Sequence, residues 1–202
     1  MNVGFMPSTP PQPGTLIVLV GPSGVGKSTI SRKLAEKMHL KYIVSATTRV
    51  RSAKDDEGKI YDYLDADTFF HRLEHGEFLE YAKVYDEYYG TPKHPALGYL
   101  AAGDDVLLEI DVQGALQVRY QYPNALLIFI MPPDEATLLG RLRDRGRDSA
   151  EAIEKRFRNA KREIWMGKGS RAFDDMVIND DIDRAVDEIA RLIRQKKSPG
   201  GI

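Results

Sequence analysis

Gly21-Pro22-Ser23-Gly24-Val25-Gly26-Lys27-Ser28 reads G-x-x-x-x-G-K-S, the spacing of a phosphate-binding P-loop. Residues 15–20 before it, Thr-Leu-Ile-Val-Leu-Val, are almost continuously apolar and β-branched, as in a parallel strand buried on both faces. After it, Ile30, Leu34 and Met38 recur at i, i+4, i+8, one face of a helix. The motif therefore stands between a strand and a helix N-terminus, where its chemistry works. Gly21, Gly24 and Gly26 let backbone N–H groups turn inward around phosphate oxygens, with the helix dipole behind them. Lys27 brings a point charge to the β- and γ-phosphates, and the Ser28 hydroxyl is placed for Mg²⁺.

The 202 residues suit one domain with elaborations. Hydrophobic residues make up 42% and charged residues 29%, the balance of a globular protein in water. A formal net charge of −1 argues against a general nucleic-acid or membrane-surface binder. There is no cysteine, which excludes disulfides, thiol catalysis and cysteine metal sites. No apolar run approaches the roughly 18 residues of a membrane span, and no basic segment followed by an apolar core opens the chain. A cytoplasmic protein without nucleic-acid or membrane partners is the expectation.

Residues 1–13 carry Pro7, Pro10, Pro11 and Pro13 with little apolar content and read as a disordered tail. A second strand is expected at 41–44, so strand, helix, strand opens a parallel α/β sheet. From 45 to 91 tyrosines and charges dominate, with a helix over 65–73 and the remainder in short antiparallel strands. This insertion between core elements is a candidate substrate-binding part. The core resumes at 92–133, with a helix presenting Leu97, Leu100 and Ala101 and strands at 106–111 and 125–130. Helices are expected from Asp134 to Arg143, closed by Arg145 and Gly146, and from Ser149, as cap, to Arg162. A short strand at 176–178 and a closing helix at 183–195 end the domain near residue 197, and 198–202 should fray.

Ser45 to Arg49 lies at the carboxyl end of the second strand, the sheet edge where α/β folds bind ligands. Glu80 precedes the Tyr88-Tyr89-Gly90-Thr91 turn. A buried carboxylate there would prefer guanine, whose N1–H and N2–H₂ are adjacent donors, over adenine, which offers neither. A surface glutamate in a hairpin is an equally open reading of Glu80 in isolation. Glu109 and Asp111 close an apolar strand, the place of a carboxylate that holds Mg²⁺ or its waters. Arg141, Arg143, Arg145, Arg147 and Arg156 make a basic segment that reads as a lid over a triphosphate.

These stretches together resemble the guanylate kinases, a family of P-loop nucleoside monophosphate kinases. The motifs stand here as GPSGVGKST (21–29), VSATTR (44–49), Gly58-x-x-Tyr61, FLEYA (78–82), YYGT (88–91), EIDVQG (109–114), RLRDRGRDS (141–149), KRF (155–157) and IND (178–180). The resemblance implies a P-loop parallel sheet flanked by helices, with core segments 14–44, 92–133 and 163–197. It also implies a mixed α/β GMP-binding insertion at 45–91 and a helical lid at 134–162. It places Ser45, Glu80, Thr91 and Asp111 around guanine, and Arg49, Tyr61 and Tyr89 on the GMP phosphate. ATP would be held by Gly21, Pro22, Ser23, Gly24, Val25, Gly26, Lys27, Ser28 and Thr29, with Asn179 near adenine. Arg141, Arg145 and Arg156 would close on the phosphates as catalytic groups beside Lys27. Mg²⁺ would be met by Ser28 and Glu109, partly through water.

Two departures from the family matter, the first within its usual T-T-R-x-P-R-x-G-E. The second phosphate-binding arginine is replaced by Ser52, and Arg51 stands one place earlier without a proline. Arg51 is therefore expected to take the role, with Lys54 as competitor. Glu109 replaces the more usual aspartate. The implied reaction is γ-phosphoryl transfer from MgATP to GMP, and to dGMP with it, by a monomer or weak homo-oligomer. A non-catalytic phosphopeptide-binding module of the same fold, and a P-loop kinase of another phosphorylated substrate, are the alternatives.

Overall fold

The computed structural model describes residues 12–51, 61–84, 86–144 and 149–198. Most of the expected N-terminal tail, Ser52, Lys54, Gly58, Arg145, Gly146, Arg147 and residues 199–202 lie outside the described residues.

The core is a five-stranded parallel sheet in the order β2-β7-β1-β8-β9, formed by β2 (Lys41–Tyr42), β7 (Val106–Glu109), β1 (Leu16–Val20), β8 (Leu126–Met131) and β9 (Asp175–Ile178). The central strand β1 is buried along its whole length, and its period of two divides the protein into two apolar layers. Ile17 and Leu19 face a layer with Ile30 and Leu34 of α1 (Lys27–Met38) and Val186, Ile189 and Ile193 of α7 (Ile182–Lys197). Leu16, Val18 and Val20 face the other, with Ala96 of α3 (Lys93–Ala101) and Val112, Ala115 and Val118 of α4 (Val112–Gln121). Leu19 stands opposite Glu109 in the parallel register, so the glycine-rich loop and the acids after β7 leave the sheet at the same edge.

The insertion has its own four-stranded sheet, ordered β4-β3-β6-β5. Its strands are β3 (Ala46–Thr47), β4 (Asp62–Tyr63), β5 (Phe78–Val84) and β6 (Glu87–Pro92), with α2 (Ala66–Glu74) across it. Ala46, Phe69 and Phe78 make its small core. Helices α5 (Glu135–Asp144) and α6 (Ala150–Gly169) pack through Leu138, Leu142 and Ala160. Asp65, Asp134 and Ser149 accept from backbone N–H groups three residues on, as N-caps. No described helix is long and apolar enough to cross a membrane.

Several expectations change. β2 spans two residues of the four expected, with one further bond from Ile43 N to Leu107 O. β4 runs parallel to β3 rather than antiparallel. In α3 Ala96 is buried while Ala101 is exposed. α4 was not anticipated at all, although Val112, Ala115 and Val118 carry its i, i+3, i+6 apolar spacing. α6 continues unbroken through Arg162 to Gly169, so the expected lid boundary falls inside a helix. α7 reaches Lys197, whose Nζ pairs with Asp105 Oδ2 at 2.6 Å and ties the last turn to the loop before β7.

Candidate active site

The loop from Gly21 to Ser28 joins the end of β1 to the start of α1 with φ of 86° at Gly24 and 98° at Gly26. Only glycine takes such angles cheaply. A Cβ on Gly26 would also stand 2.6 Å from Asn179 Nδ2. That amide donates to Val25 O at 2.7 Å, and Arg141 donates to Val25 O at 3.4 Å and to Asn179 O at 3.0 Å. Arg141 on α5 and Asn179 after β9 thus clamp one shoulder of the loop. Asn179 is 1% exposed, and its Oδ1 has no hydrogen-bond partner among the described residues. Lys27 Nζ donates to the carbonyls of Gly21 and, at 3.1 Å, Pro22. Thr29 follows in the first turn of α1, half-buried.

Ser28 Oγ donates to Glu109 Oε1 at 2.8 Å, and Tyr42 OH donates to Glu109 Oε2 at 3.1 Å. A hydroxyl and a carboxylate side by side fit Mg²⁺, a hard cation that takes one or two protein oxygens with phosphates and waters. Among the described residues no cluster of three or more acidic or histidine ligands occurs. The longer arm of Glu109 spans both partners.

A cleft runs from this loop to a wall built by the insertion, lined among others by Ser45, Tyr61, Glu80, Tyr89, Asp111 and Arg156. Glu80 is 4% exposed, and Thr91, 1% exposed, donates to its Oε1 at 2.6 Å. The surface-hairpin reading of Glu80 is thereby excluded. Asp111 caps α4, accepting from Gly114 N at 2.9 Å and Gln113 Nε2 at 3.0 Å. Burial pushes its carboxyl pKa up, against those hydrogen bonds and the Lys27 charge. Ser45, also buried, stands at the foot of the same wall.

Arg49 is half-buried, its guanidinium 5.5 Å from the centre of the Tyr61 ring and 5.6 Å from that of Tyr63, with Nη2 donating to Tyr63 OH at 3.4 Å. Tyr61 and Tyr89 meet edge to face at 5.5 Å. Burial raises the Tyr89 phenol pKa, with Tyr61 adding and Arg49 opposing, so its hydroxyl stays a donor at neutral pH. Arg51 is exposed and lies 5.9 Å from the Tyr63 ring centre, at the rim of this cation–aromatic cluster. Arg156, on α6, also lines the cleft.

The sequence reading missed four contributors. Glu163 Oε2 accepts from Ser23 N at 3.2 Å. Burial raises its carboxyl pKa, opposed by Lys27 and reinforced by Asp111. It lies seven residues after Arg156, two turns along one face of α6, and ending that helix at Arg162 concealed it. Tyr42 and Tyr63 lie on strands too short to show a pattern. Gly114 packs against Glu80: a Cβ there would stand 2.1 Å from its Oε2.

A glycine-rich loop with a nearby acid and hydroxyl, facing tyrosines of the insertion across one cleft, is the arrangement of a nucleoside monophosphate kinase. The family model described as guanylate kinase matches residues 13–196, and the chain belongs to the guanylate kinase family. It is similar to a guanylate kinase of Caldanaerobacter subterraneus subsp. tengcongensis, 47% identical over 91% of this chain and 88% of that one. A guanylate kinase of Gloeobacter violaceus is 46% identical over 88% of this chain and 86% of its own. The crystal structure of guanylate kinase from Anaplasma phagocytophilum superposes with a TM-score of 0.77 at 29% identity, covering 94% of this chain and 89% of that one.

Proposed function

We propose that this guanylate-kinase-family enzyme binds MgATP on the 21–29 loop and GMP, or dGMP, against the insertion, and moves the γ-phosphoryl between them in the cytoplasm. The observation that carries the reading is the buried Glu80, bonded to Thr91 and brought with Asp111 against Gly114 in the lining of the cleft. Two acids side by side suit the adjacent donors of guanine, and adenine would leave them unpaired. Arg49, Tyr61 and Tyr89 supply one charge-assisted contact and two hydroxyls for the GMP phosphate, with Arg51 at its rim. Ser28 and Glu109 would hold Mg²⁺, which supplies charge neutralisation on the phosphates when bound. Lys27, Arg141 and Arg156, with Arg145 beyond the described residues, would meet the charge that develops in transfer. No general base is required, since the GMP phosphate, with a second pKa of about 6, is largely dianionic at neutral pH. Positioning and electrostatics then carry the catalysis.

A coupled ADP-release assay with GMP, dGMP, AMP and a ribose phosphate tests this. Turnover with GMP and dGMP, and little with the others, is expected. No turnover with GMP would overturn the reading in favour of a binding module, and turnover on the ribose phosphate alone would favour a different kinase.

Two substitutions probe the GMP side. Glu80→Gln keeps an acceptor but turns an NH₂ toward guanine donors, so kcat/KM for GMP over AMP should fall about tenfold while the ATP KM holds. Unchanged GMP and AMP parameters would remove Glu80 from the base site. Arg51→Ala should raise the GMP KM about tenfold, and Lys54→Ala less than about threefold, if one charge-assisted bond of ~1.5–3 kcal/mol is lost. Kinetics at saturating MgATP decide; a larger effect from Lys54 would transfer the role to it.

A further inference from the structure

β5 is the outer strand of the insertion sheet, and an unpaired strand edge needs cover. Its cover is a row of glutamines on α4, a core helix. Gln113 Nε2 donates to Lys83 O at 3.3 Å. Gln117 Nε2 donates to Tyr81 O at 2.6 Å while its Oε1 accepts from Tyr81 N at 3.3 Å. Gln121 Nε2 donates to Leu79 O at 3.4 Å. The glutamines fall at i, i+4, i+8 and the strand residues at every second position, running the opposite way. The two repeats match: four helical residues advance about 6 Å and two strand residues about 6.6–6.8 Å. Gln117, using both ends of its amide on one residue's backbone, does what a neighbouring strand would do.

The ladder joins two parts of the chain that each carry one acid of the base wall. Glu80 lies between Leu79 and Tyr81, two of the laddered residues. Asp111 caps the same α4 whose first turn holds Gln113, and Gln113 Nε2 also donates to Asp111 Oδ2 at 3.0 Å. Glu80 reaches the helix at Gly114. The spacing of Glu80 from Asp111 is thus set by how β5 is registered against α4, where Leu79 is buried with Val112, Ala115 and Val118 and the glutamines fix the backbone of the strand.

We propose that Gln113, Gln117 and Gln121 are positioning residues that register Glu80 against Asp111 and so tune recognition of the guanine 2-amino group. This rests on the assignment of Glu80 and Asp111 to the base site. Gln117 carries most of the effect, because it makes two of the bonds; it touches neither acid and is partly exposed. A slackened ladder lets Glu80 drift from the spacing that suits two adjacent donors. IMP, which lacks the 2-amino group, should notice this less than GMP.

The test is steady-state kinetics of Gln117→Met, which keeps length and helix propensity and removes the amide, with GMP and IMP as acceptors. The GMP KM is expected to rise about fivefold, the change that one or two neutral hydrogen bonds support. The GMP-to-IMP ratio of kcat/KM should fall about threefold or more, with kcat and the ATP KM within about twofold of the parent. Gln121→Met, at the weaker end, should shift the same parameters in the same direction by less, and it decides the matter if Gln117→Met does not fold. Unchanged GMP KM and GMP-to-IMP ratio in a folded variant would overturn the proposal. So would a uniform loss in kcat and both KM values with a lowered melting temperature, the mark of a merely structural edge cover. A parent protein inactive on GMP would instead defeat the base-site assignment, a result separable from either.

Discussion

Replacing Lys27 with alanine is expected to leave a folded protein whose turnover falls at least about a hundredfold. Lys27 opens α1, its Nζ held against the carbonyls of Gly21 and Pro22. Its ammonium is thereby held at the glycine-rich loop before any substrate arrives. Loss of one preorganised group facing transition-state charge costs about 3 kcal/mol, and every 1.36 kcal/mol is about tenfold in rate. Folding should survive, since alanine is the best helix former and Lys27 is only half-buried. Thermal melting and turnover at saturating GMP check both halves. Wild-type turnover in the purified variant would sink the assignment of the loop to the transferred phosphate.

Gly114→Ala is expected to raise the GMP KM at least about thirtyfold while leaving the ATP KM within about twofold. Gly114 has no positive φ, so the backbone of α4 accepts alanine, and on propensity alone the change favours the helix by about 0.5–1 kcal/mol. The obstacle is local. The added methyl would meet Glu80 Oε2 at 2.1 Å and Cδ at 2.8 Å. The carboxylate is the movable end of its side chain, so it swings away from the position where Thr91 holds it. A charged hydrogen-bonding partner out of place costs about 2 kcal/mol, which is about thirtyfold. GMP and ATP kinetics with a melting curve provide the check. A GMP KM within threefold of the parent would mean that Glu80 does not touch the base.

The parts of the molecule that were legible in advance are those where local chemistry leaves one choice. The run before Gly21 is apolar at every position from Leu16 to Val20 because β1 is buried on both faces. The glycines of the loop stand where left-handed φ is needed. The closing helix showed its face through Val186, Ile189, Ala190 and Ile193. The acids after β7 were visible because carboxylates are costly at the end of a buried strand.

What stayed hidden depends on partners distant in the chain. Two-residue strands such as β2 and β4 carry no period, so Tyr42 and Tyr63 reach Glu109 and Arg49 only through pairing with β7 and β3. The full length of α6, and with it Glu163, was concealed because its last turns pack against the core: Gly167 lies under the Phe129 ring. Whether Glu80 was a surface carboxylate or a buried one could not follow from its neighbours in sequence. Thr91, eleven residues on, and Gly114, on a helix of another segment, bury it. The sequence by itself determined the glycine-rich loop, the strand and helix that flank it and the residue types of the cleft. Only the tertiary structure decided which acids face each other, because burial and register are set by contacts between segments that no local pattern encodes.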